Sequence, residues 1–584
     1  MYSSQRSSSV QPGFGHRPNA RAASLAPSTS HTGHSTAQLA RKVFQQKYSL
    51  QLAPGVIAWL ENLIATFGIE DEAEIVDTFE HLVRGCTGSG SGLDGPSKIT
   101  PDLLEETYEK LMVSAEPNEA GGDDIDPNQC LRIVDAFDMP AWRWDEIRGG
   151  FDKSKAASTI APGALSKSRY LRDRFNIIKQ VILRNEHFCP PAVVGPERGI
   201  YMKLTTIKNL LGRQGGHFLI FGLLTRMEDG EFYLEDLDDK VKLDLSEATP
   251  ESGLFTEGSF VLVDGDYTHE SVFRVSEIGH PPSERRDEAM KIHGHHDFLG
   301  IGALSAVEEA DMIVAEQSPA HETSFIVLSD LHLDSAKVLT ALKQVLGVYN
   351  DMDEKSIPKL FVLCGNFRSR PWLFDGEAMR EYTDLFTTLA SILTSFPNLL
   401  ATSHFLLIPG PTDPWSSAAL PRPALPEPLV KALIAKVPNL TLGSNPCRIR
   451  WFSQEIVVFR DDLMGRMMRN AVRFPADEGD ASRKGDLRKA LVQTILDQAH
   501  LAPLPLPVRP VLWDYDHALR LYPMPTTLIL ADAFDPYKLV YERCLVFNPG
   551  SFHRRKFTWS TYHPHMGEIK ERMEESELPD EDDY

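Results

Sequence analysis

Apolar residues recur at helical spacing in the N-terminal part of the chain. Three sets repeat every three or four positions: Leu39, Val43 and Phe44; Val56, Trp59, Leu60, Leu63 and Ile64; Ile75, Phe79, Leu82 and Val83. Pro54 fits the first turn of the second helix. With Leu103–Met112 added, the pattern predicts a small helical domain over residues 37–115. The Ser-, Arg- and Pro-rich segment before it, 1–36, has few apolar residues and is predicted to be a disordered tail.

The pattern changes to a period of two after about residue 200. Five short segments with Gly-containing turns read as strands: Phe218–Leu224, Glu231–Glu235, Val241–Leu245, Ser259–Asp264 and Val272–Val275. They follow an amphipathic helix that starts near Ser168. The combination predicts a helix plus a small Greek-key barrel of the OB type over 168–285.

The predicted barrel is acidic. Between residues 200 and 280 the sequence has 7 Lys or Arg and 15 Asp or Glu. OB barrels that bind single-stranded nucleic acid use a basic groove with stacking aromatic residues, and phosphates would be repelled here. We therefore expect the barrel to bind a protein, with an independent single-strand-binding protein as the weaker alternative.

Short apolar runs alternate with helical patterns between residues 321 and 563, which is typical of a layered α/β fold. Two stretches on either side of the barrel, 116–167 and 286–320, are rich in Gly, Asp, Pro or charged residues and are predicted to be linkers. The last segment, 564–584, is strongly acidic and is predicted to be a solvated tail. The predicted fold class is an α/β multidomain chain.

One apolar run leads into residues that ligate metals in other proteins. Phe325–Leu328 is followed by Asp330 and His332, and this order resembles the opening of the two-metal site in calcineurin-like phosphoesterases. A carboxylate and a neutral imidazole at a strand end suit divalent ions of that kind. The resemblance implies an α/β sandwich, with further ligands in the motifs GDxxD, GNH[DE] and GHxH at later strand ends.

The later strand ends carry other residues. Asn366 stands in place of the bridging Asp of GDxxD, and Asp413 follows Pro411 and Thr412, where an Asn ligand and the catalytic His would stand. Asp532 lies in the segment that replaces GHxH. A neutral amide carries no charge to offset two dications, and proline offers no side-chain donor atom. We therefore expect no catalytic residue, no cofactor and no bound metal.

The positions Asp330, His332, Asn366, Asp413 and Asp532 are thus interpreted as a vestigial metal site. Asp330 is expected to cap the following helix, with His332 tucked beside it, because an Asp after a strand often serves as a helix N-cap. Two alternatives stay open. One is a single residual metal ion, and the other is a metal-dependent phosphodiesterase or nuclease in which the five groups gather on one ion. The missing catalytic His counts against the enzyme, since general acid–base help contributes roughly 10²–10⁴-fold.

Several longer stretches resemble the B-subunit family of replicative DNA polymerases. The matching stretches include the altered motifs themselves: Cys364–Phe367, Pro409–Pro414, Pro446–Ile449, Gln454–Leu463, Arg469–Pro475 and Val511–Pro523. The resemblance extends over about 168–563, with a looser match before it. It implies an OB barrel and an inactive calcineurin-like phosphoesterase domain (321–563) in a non-catalytic accessory subunit.

The same resemblance implies partners and a compartment. The barrel and the phosphoesterase-like domain would hold the C-terminal domain of the polymerase's catalytic subunit. The N-terminal helical domain, which in the family resembles the lid of AAA+ ATPases, would contact the GINS part of the replicative helicase (CMG). Histone-fold small subunits would belong to the same complex, DNA would be bound mainly through the complex, and the protein would be nuclear.

The composition of the whole chain agrees with a protein-binding role. Lys and Arg total 60 against 82 Asp and Glu, a net charge of −22, whereas a freestanding DNA-binding protein usually carries a basic footprint. Six scattered cysteines form no CxxC pair, which predicts reduced thiols. No apolar run reaches the roughly 20 residues of a membrane span, and the N-terminus lacks the apolar centre of a signal peptide. His293, His295 and His296 are interpreted as a solvated loop rather than a metal site.

Overall fold

The structure is a computed structural model of the chain. It describes residues 36–48, 50–67, 75–76, 78–79, 82–83, 98–101, 103–105, 107–108, 130–189, 201–228, 230–318, 322–414, 418–474, 486–554, 557–564 and 573–576. The chain divides into two compact units, Met1–Val113 and Ser114–Tyr584. Of the predicted tail 1–36, only Thr36 lies among the described residues, and it begins a helix. No helix in the described ranges is both long enough and apolar enough to cross a membrane.

The first unit contains short helices around one apolar cluster. The helices span Thr36–Ala40 and Val56–Phe67, with a π-helical segment, Arg41–Lys47, after the first. Strand β1 (Gln51–Leu52) pairs in parallel with β2 (Lys98–Ile99). The residues of the three predicted apolar sets that are buried together are Leu39, Val43, Phe44, Val56, Leu60, Leu63, Ile64, Ile75, Phe79, Leu82 and Val83. The two strands were not predicted, because so short a pairing leaves no periodic pattern in the sequence.

The second unit begins, in its described part, with strands where the sequence predicts a linker. Strand β3 (Leu131–Asp135) joins a sheet of the C-terminal region, and β4 (Trp142–Asp145) forms an antiparallel hairpin with β5 (Gly150–Lys153). A helix, Leu165–Arg184, follows. The prediction of a linker over 116–167 is therefore wrong from β3 onward. Strand β3 pairs with a strand far along the chain, and no local pattern reveals such a partner.

The barrel predicted from the period-two pattern is present. Its strands and short additions are β6 (Leu204–Thr205), β7 (His217–Arg226), β8 (Phe232–Glu235), β9 (Lys240–Asp244), β10 (Thr249–Pro250), β11 (Phe260–Tyr267) and β12 (Val272–Gly279). The order β7–β8–β9–β12–β11 closes because β11 pairs with β7, and β9 pairs in parallel with β12. Ile220, Val263 and Phe273 belong to its interior cluster. This closed five-stranded arrangement is an OB barrel.

The segment between the barrel and the C-terminal region is also more ordered than expected. It contains the helices Arg286–His293 and Ala306–Glu316. Ser305 and Glu308 form a capping box at the start of the second helix. The prediction of a linker over 286–320 is therefore wrong for both helices.

The described part of the C-terminal region contains two six-stranded sheets, one of which includes β3. Its strands are β13 (Phe325–Leu328), β14 (Leu360–Cys364), β15 (His404–Ile408), β16 (Leu440–Leu442), β17 (Cys447–Trp451), β18 (Gln454–Arg460), β19 (Thr527–Ala531), β20 (Tyr537–Tyr541), β21 (Cys544–Asn548), β22 (Trp559–Tyr562) and β23 (Met573–Ser576). The first sheet has the order β16–β15–β14–β13–β22–β23, and the second has the order β20–β21–β19–β18–β17–β3. Strand β23 lies in the predicted solvated tail 564–584, so that prediction is wrong for these four residues.

Successive side chains along a strand point to opposite faces of the sheet, so the core of this region is divided into layers. Val327, Val362 and Ile529 belong to a cluster that combines residues of both sheets. Ile326 and Phe361, one position away along β13 and β14, belong to a cluster with the flanking helices. The helices of the region are Ala336–Asn350, Gly376–Leu393, Pro397–Thr402, Glu427–Lys436, Leu463–Asn470 and Leu487–Asp497. Short 3₁₀ segments of the second unit are Ile207–Leu210, Glu354–Ser356 and Trp513–Leu519.

The barrel is joined to the C-terminal region by buried hydrogen bonds. The side-chain amide of Gln498 accepts from the backbone N–H of Phe260 at 2.7 Å and donates to the carbonyl of the same residue at 2.6 Å. The Thr256 hydroxyl donates to the carbonyl of Pro503 at 2.6 Å. Phe474, from the C-terminal region, packs in the barrel cluster. These contacts fix the barrel on the two-sheet body rather than leaving it on a free tether.

His293 lies in the interior and not in a solvated loop. It is only 3% exposed, and its ring packs edge-on against Trp144, Phe151 and Tyr522. His296 lies in the same aromatic group, with its ring centroid 6.0 Å from that of Phe151. The solvated-loop interpretation is therefore wrong for these two residues. The hairpin β4–β5, which the sequence did not reveal, covers them.

We predict that His293 makes folding stability depend on pH. Burial, with the charge of nearby Arg184 as a secondary cause, lowers the pKa of His293 from 6.5 to about 3. The unfolded chain therefore takes up a proton first as the pH falls below 6.5, and stability is lost there. Urea denaturation at pH 7 and pH 5 should show that His293→Phe removes about 2 kcal/mol of this loss.

The exposed His269→Phe variant is the matched control for His293→Phe. It should follow the wild-type protein at both pH values. A His293→Phe variant that loses as much stability as the wild-type protein between pH 7 and pH 5 would contradict the prediction.

Candidate functional site

The candidate site lies where parallel strands of both sheets end. Strands β13, β14 and β15 are parallel neighbours in the first sheet, and β18 and β19 are parallel neighbours in the second. Asp330 and Asn366 each lie two residues beyond their strand, β13 and β14. Asp532 directly follows β19, and Arg460 is the last residue of β18. The carboxyl ends of both sheets thus bring these polar residues to one edge.

Arg460 is the centre of the site. Its side chain is 1% exposed, and the guanidinium donates to a carboxylate oxygen of Asp330 at 2.7 Å and to one of Asp462 at 2.8 Å. It also donates to the carbonyls of Gly365 at 2.7 Å and Ala531 at 3.2 Å. Burial alone would lower the pKa of Arg460, but the two carboxylates outweigh it and raise the pKa. A permanent positive charge therefore occupies the point where the strand ends meet.

Asp330 is paired with Arg460 and does not cap a helix. Its second carboxylate oxygen accepts from the Ser551 hydroxyl, and its first also accepts from the Asn366 side chain at 3.2 Å. Burial alone would raise the pKa of Asp330, but Arg460 and the hydrogen bonds lower it to about 2. The N-cap residue of the helix Ala336–Asn350 is Ser335. The expected capping role of Asp330 is therefore wrong, because a buried charge partner from the other sheet takes its carboxylate.

Asp413 is buried and holds loops together. Its carboxylate accepts from the Tyr382 hydroxyl at 2.6 Å and from the backbone N–H groups of Phe367 at 2.9 Å and Gly410 at 2.7 Å. Burial raises the pKa of Asp413. The chain is packed tightly here, because a Cβ atom on Gly365 would lie 2.6 Å from the backbone nitrogen of Gly410.

Asn366 and Asp532 also bind backbone groups. The Asn366 side-chain oxygen accepts from the Thr412 N–H at 2.9 Å. Asp532 accepts from the N–H of Met464 at 2.7 Å, at the start of the helix Leu463–Asn470, and from the N–H of Phe534 at 3.0 Å. Burial raises the pKa of Asp532 to about 6. Four side chains with oxygen atoms were proposed to gather on one ion. Those of Asp330 and Asn366 are hydrogen-bonded to each other, whereas those of Asp413 and Asp532 accept backbone N–H groups.

His332 stacks on a histidine that sequence analysis missed. The ring centroids of His332 and His553 are 3.7 Å apart, and the His332 Nε2 lies 4.0 Å from an oxygen of Asp330. Ligand atoms of Asp330, His332 and His553 all lie within 4.8 Å of one another, and among the described residues they are the group of this kind that could hold a metal ion. Burial, with the charge of His553 as a secondary cause, lowers the pKa of His332, and burial lowers the pKa of His553.

The residues at this edge do not fit a two-metal centre. Such a centre clamps two cations about 3.5–4 Å apart with several anionic or imidazole ligands. Here the carboxylates of Asp413 and Asp532 accept backbone N–H groups, Pro411 has no side-chain donor, and the cation beside Asp330 is Arg460. The sequence held a signal for this cation, since Arg460 ends the otherwise apolar run Ile456–Phe459.

Two family models match the two parts of the second unit. The model for the B subunit of DNA polymerases alpha and epsilon matches residues 325–538, and that described as "DNA polymerase epsilon subunit 2-like, OB-fold domain" matches residues 164–282. The barrel and the two-sheet body of the second unit are therefore the parts of the chain that match the B subunits of DNA polymerases.

Similar proteins match over most of their length. The B subunit of DNA polymerase epsilon from Arabidopsis thaliana is 36% identical, covering 80% of this chain and 90% of its own. The protein of that name in Schizosaccharomyces pombe is 37% identical, covering 77% and 78%, and "DNA polymerase epsilon subunit 2" of Homo sapiens is 36% identical, covering 84% and 90%. The chain belongs to the B-subunit family of DNA polymerase epsilon.

We predict that Asp330→Asn destabilises the protein in a pH-dependent way. At pH 7 the variant should lose about 3 kcal/mol of unfolding free energy, because removing one partner leaves the buried Arg460 charge poorly compensated. The folded-state pKa of Asp330, about 2, lies below the ordinary 3.8. Its contribution is therefore complete above 3.8 and is lost as the pH falls toward 2.

Chemical denaturation from pH 7 down to the acid range would measure this difference. The gap between the wild-type protein and Asp330→Asn should narrow in acid, while the exposed Asp238→Asn should stay close to the wild-type protein throughout. A gap that does not change with pH would show that the Asp330 charge is not what stabilises the fold.

Proposed function

We propose that this chain is a non-catalytic scaffold within the DNA polymerase epsilon complex. As a member of the B-subunit family, it is an accessory subunit of a polymerase that acts in DNA replication. Its C-terminal domain is, in this proposal, a degenerate calcineurin-like phosphoesterase that has kept the layered fold and lost the chemistry. The observation that carries the proposal is Arg460, whose buried guanidinium lies against Asp330 where an active enzyme of that kind would need a metal ion.

The OB barrel and the two-sheet body together form the proposed grip on the C-terminal domain of the catalytic subunit. Their mutual hydrogen bonds, through Gln498 and Thr256, support a single rigid platform. The acidic character of the barrel supports a protein partner there. DNA is then contacted mainly by other parts of the complex, which includes histone-fold small subunits, and the site of action is the nucleus.

The N-terminal unit is the proposed contact with the replicative helicase, through its GINS component. Residues 1–113 form a compact unit with its own apolar cluster, which supports a separate docking function. The resemblance of such domains to the lid of AAA+ ATPases is part of the same proposal. The protein would thereby couple the polymerase to DNA unwinding.

A metal-dependent phosphodiesterase is the second candidate function. The grouping of Asp330, His332 and His553 favours it, because one carboxylate and two imidazoles suit a divalent ion. Three considerations weigh against it: Thr412 replaces the expected general acid–base His, Asp330 is already paired with Arg460, and the other carboxylates bind backbone groups.

We predict that the purified chain does not hydrolyse an activated phosphodiester in the presence of Mn²⁺. The rate should equal that of the Asp330→Ala/His332→Ala double mutant, since a site without a complete ligand set gives no metal-bound nucleophile. A steady-state assay on bis-(p-nitrophenyl) phosphate measures both. Turnover by the wild-type chain that disappears in the double mutant would show that the chain is a metal-dependent phosphodiesterase and not a non-catalytic scaffold.

We predict that removing residues 1–113 separates two interactions. The shortened chain should still co-purify with the catalytic subunit's C-terminal domain, because the barrel and the body remain. It should no longer capture purified GINS, which the full chain should bind. Loss of both interactions would mean that the N-terminal unit belongs to the polymerase interface, and retention of GINS binding would place the helicase contact in the second unit.

A further inference from the structure

The Arg460 guanidinium connects the two sheets at their carboxyl edge. From β18 of the second sheet it reaches Asp330 beyond β13 and the carbonyl of Gly365 beyond β14, both of which belong to the first sheet. It also bonds the Ala531 carbonyl at the end of β19 and the carboxylate of Asp462. One side chain thus ties four strand ends together.

The backbone of Arg460 is fixed as firmly as its side chain. The Asn445 side chain accepts from the Arg460 N–H at 3.1 Å and donates to its carbonyl at 2.6 Å. The same amide donates to the carbonyl of Pro409 at 2.9 Å, in the loop after β15. Because the Arg460 backbone is held in this way, its guanidinium has little freedom to move out of the site.

We propose that Arg460 is a built-in replacement for a divalent ion: it balances Asp330, bridges the two sheets and blocks a latent metal site formed by Asp330, His332 and His553. The first Asp330 oxygen accepts from Arg460 and Asn366, and the second accepts from Ser551. A divalent ion on either oxygen would lie within a few ångströms of the guanidinium, and buried like charges at such distances repel strongly.

The blocking role of Arg460 is separate from the proposed scaffold function and does not depend on which partners the chain binds. Arg460 itself excludes the metal ion, in addition to the loss of other ligands. The three remaining groups already lie close enough together to hold an ion. Removing the guanidinium while keeping these groups should therefore turn a site that excludes metal into one that binds it.

The test compares Mn²⁺ binding by the full-length wild-type chain and by Arg460→Gln. The wild-type chain should carry no Mn²⁺ after gel filtration, and added Mn²⁺ should not change its Tm. Arg460→Gln should have a Tm lower by roughly 5 °C in EDTA, because Asp330 loses its main counter-charge. With Mn²⁺ it should recover at least half of that loss and retain about one ion per chain, in accordance with one three-ligand group.

Two control variants distinguish Mn²⁺ binding at this site from a nonspecific increase in Tm caused by Mn²⁺. Arg460→Gln combined with His332→Ala and His553→Ala should lose the Mn²⁺-dependent recovery. Arg520→Gln removes another buried arginine, 3.6 Å from Asp173, and should be destabilised equally with and without Mn²⁺. Recovery that persists in the triple variant, or that also occurs in Arg520→Gln, would overturn the assignment of the latent site.

Two further results with Mn²⁺ would contradict the proposed role of Arg460. A folded Arg460→Gln that gains no Mn²⁺, or a wild-type chain that binds one Mn²⁺ with Arg460 in place, would overturn the proposal. If Arg460→Gln is insoluble when expressed without added metal, expression with MnCl₂ should restore soluble protein. Insolubility under both conditions would show that a divalent ion cannot replace the guanidinium in stabilising the fold. That result would also overturn the proposal.

Discussion

The charge balance of one buried carboxylate organises the C-terminal region. Asp330 lies at the edge where two sheets meet, and its charge cannot be solvated there because the residue is 2% exposed. A buried charge without a partner costs several kcal/mol, so the strand ends around it must supply compensation. Arg460 supplies the charge, Ser551 and Asn366 supply hydrogen bonds, and the carbonyls of neighbouring strand ends satisfy the rest of the guanidinium. The positions of the surrounding loops follow from that balance.

The edge where these strands end is in this way a structural joint. Asp413 binds the N–H groups of two loops, and Asp532 binds the first turn of a helix. A carboxylate that accepts backbone N–H groups stabilises one loop conformation, whereas a catalytic carboxylate must be open to a substrate or an ion. Rigidity suits an accessory subunit of a larger complex, and the buried bonds between Gln498 and the barrel extend this rigidity across the second unit.

The sequence predicted what depends on local pattern and missed what depends on distant partners. The barrel strands and the apolar runs of the two sheets were found because alternation and short buried segments are visible in a few residues. Strand β3 was missed because its partner, β17, lies far along the chain, and His293 was misread because the hairpin that covers it was not recognised. At the site, the polar residues at the strand ends were evident, but the role of Arg460 was not, since a single Arg at a strand end does not show which carboxylate it will meet.

Strand β3 makes the barrel an insertion within a sheet. Residues Leu131–Asp135 precede the barrel in the chain, yet they form the edge of the sheet beside β17, which follows the barrel. During synthesis the ribosome releases β3 long before its partner, so this edge strand waits unpaired while the barrel and strands β13–β16 of the first sheet are made. Contacts between such distant segments slow folding. This sheet is thus completed only after most of the chain has emerged, because two adjacent strands of it lie on either side of the barrel in the sequence.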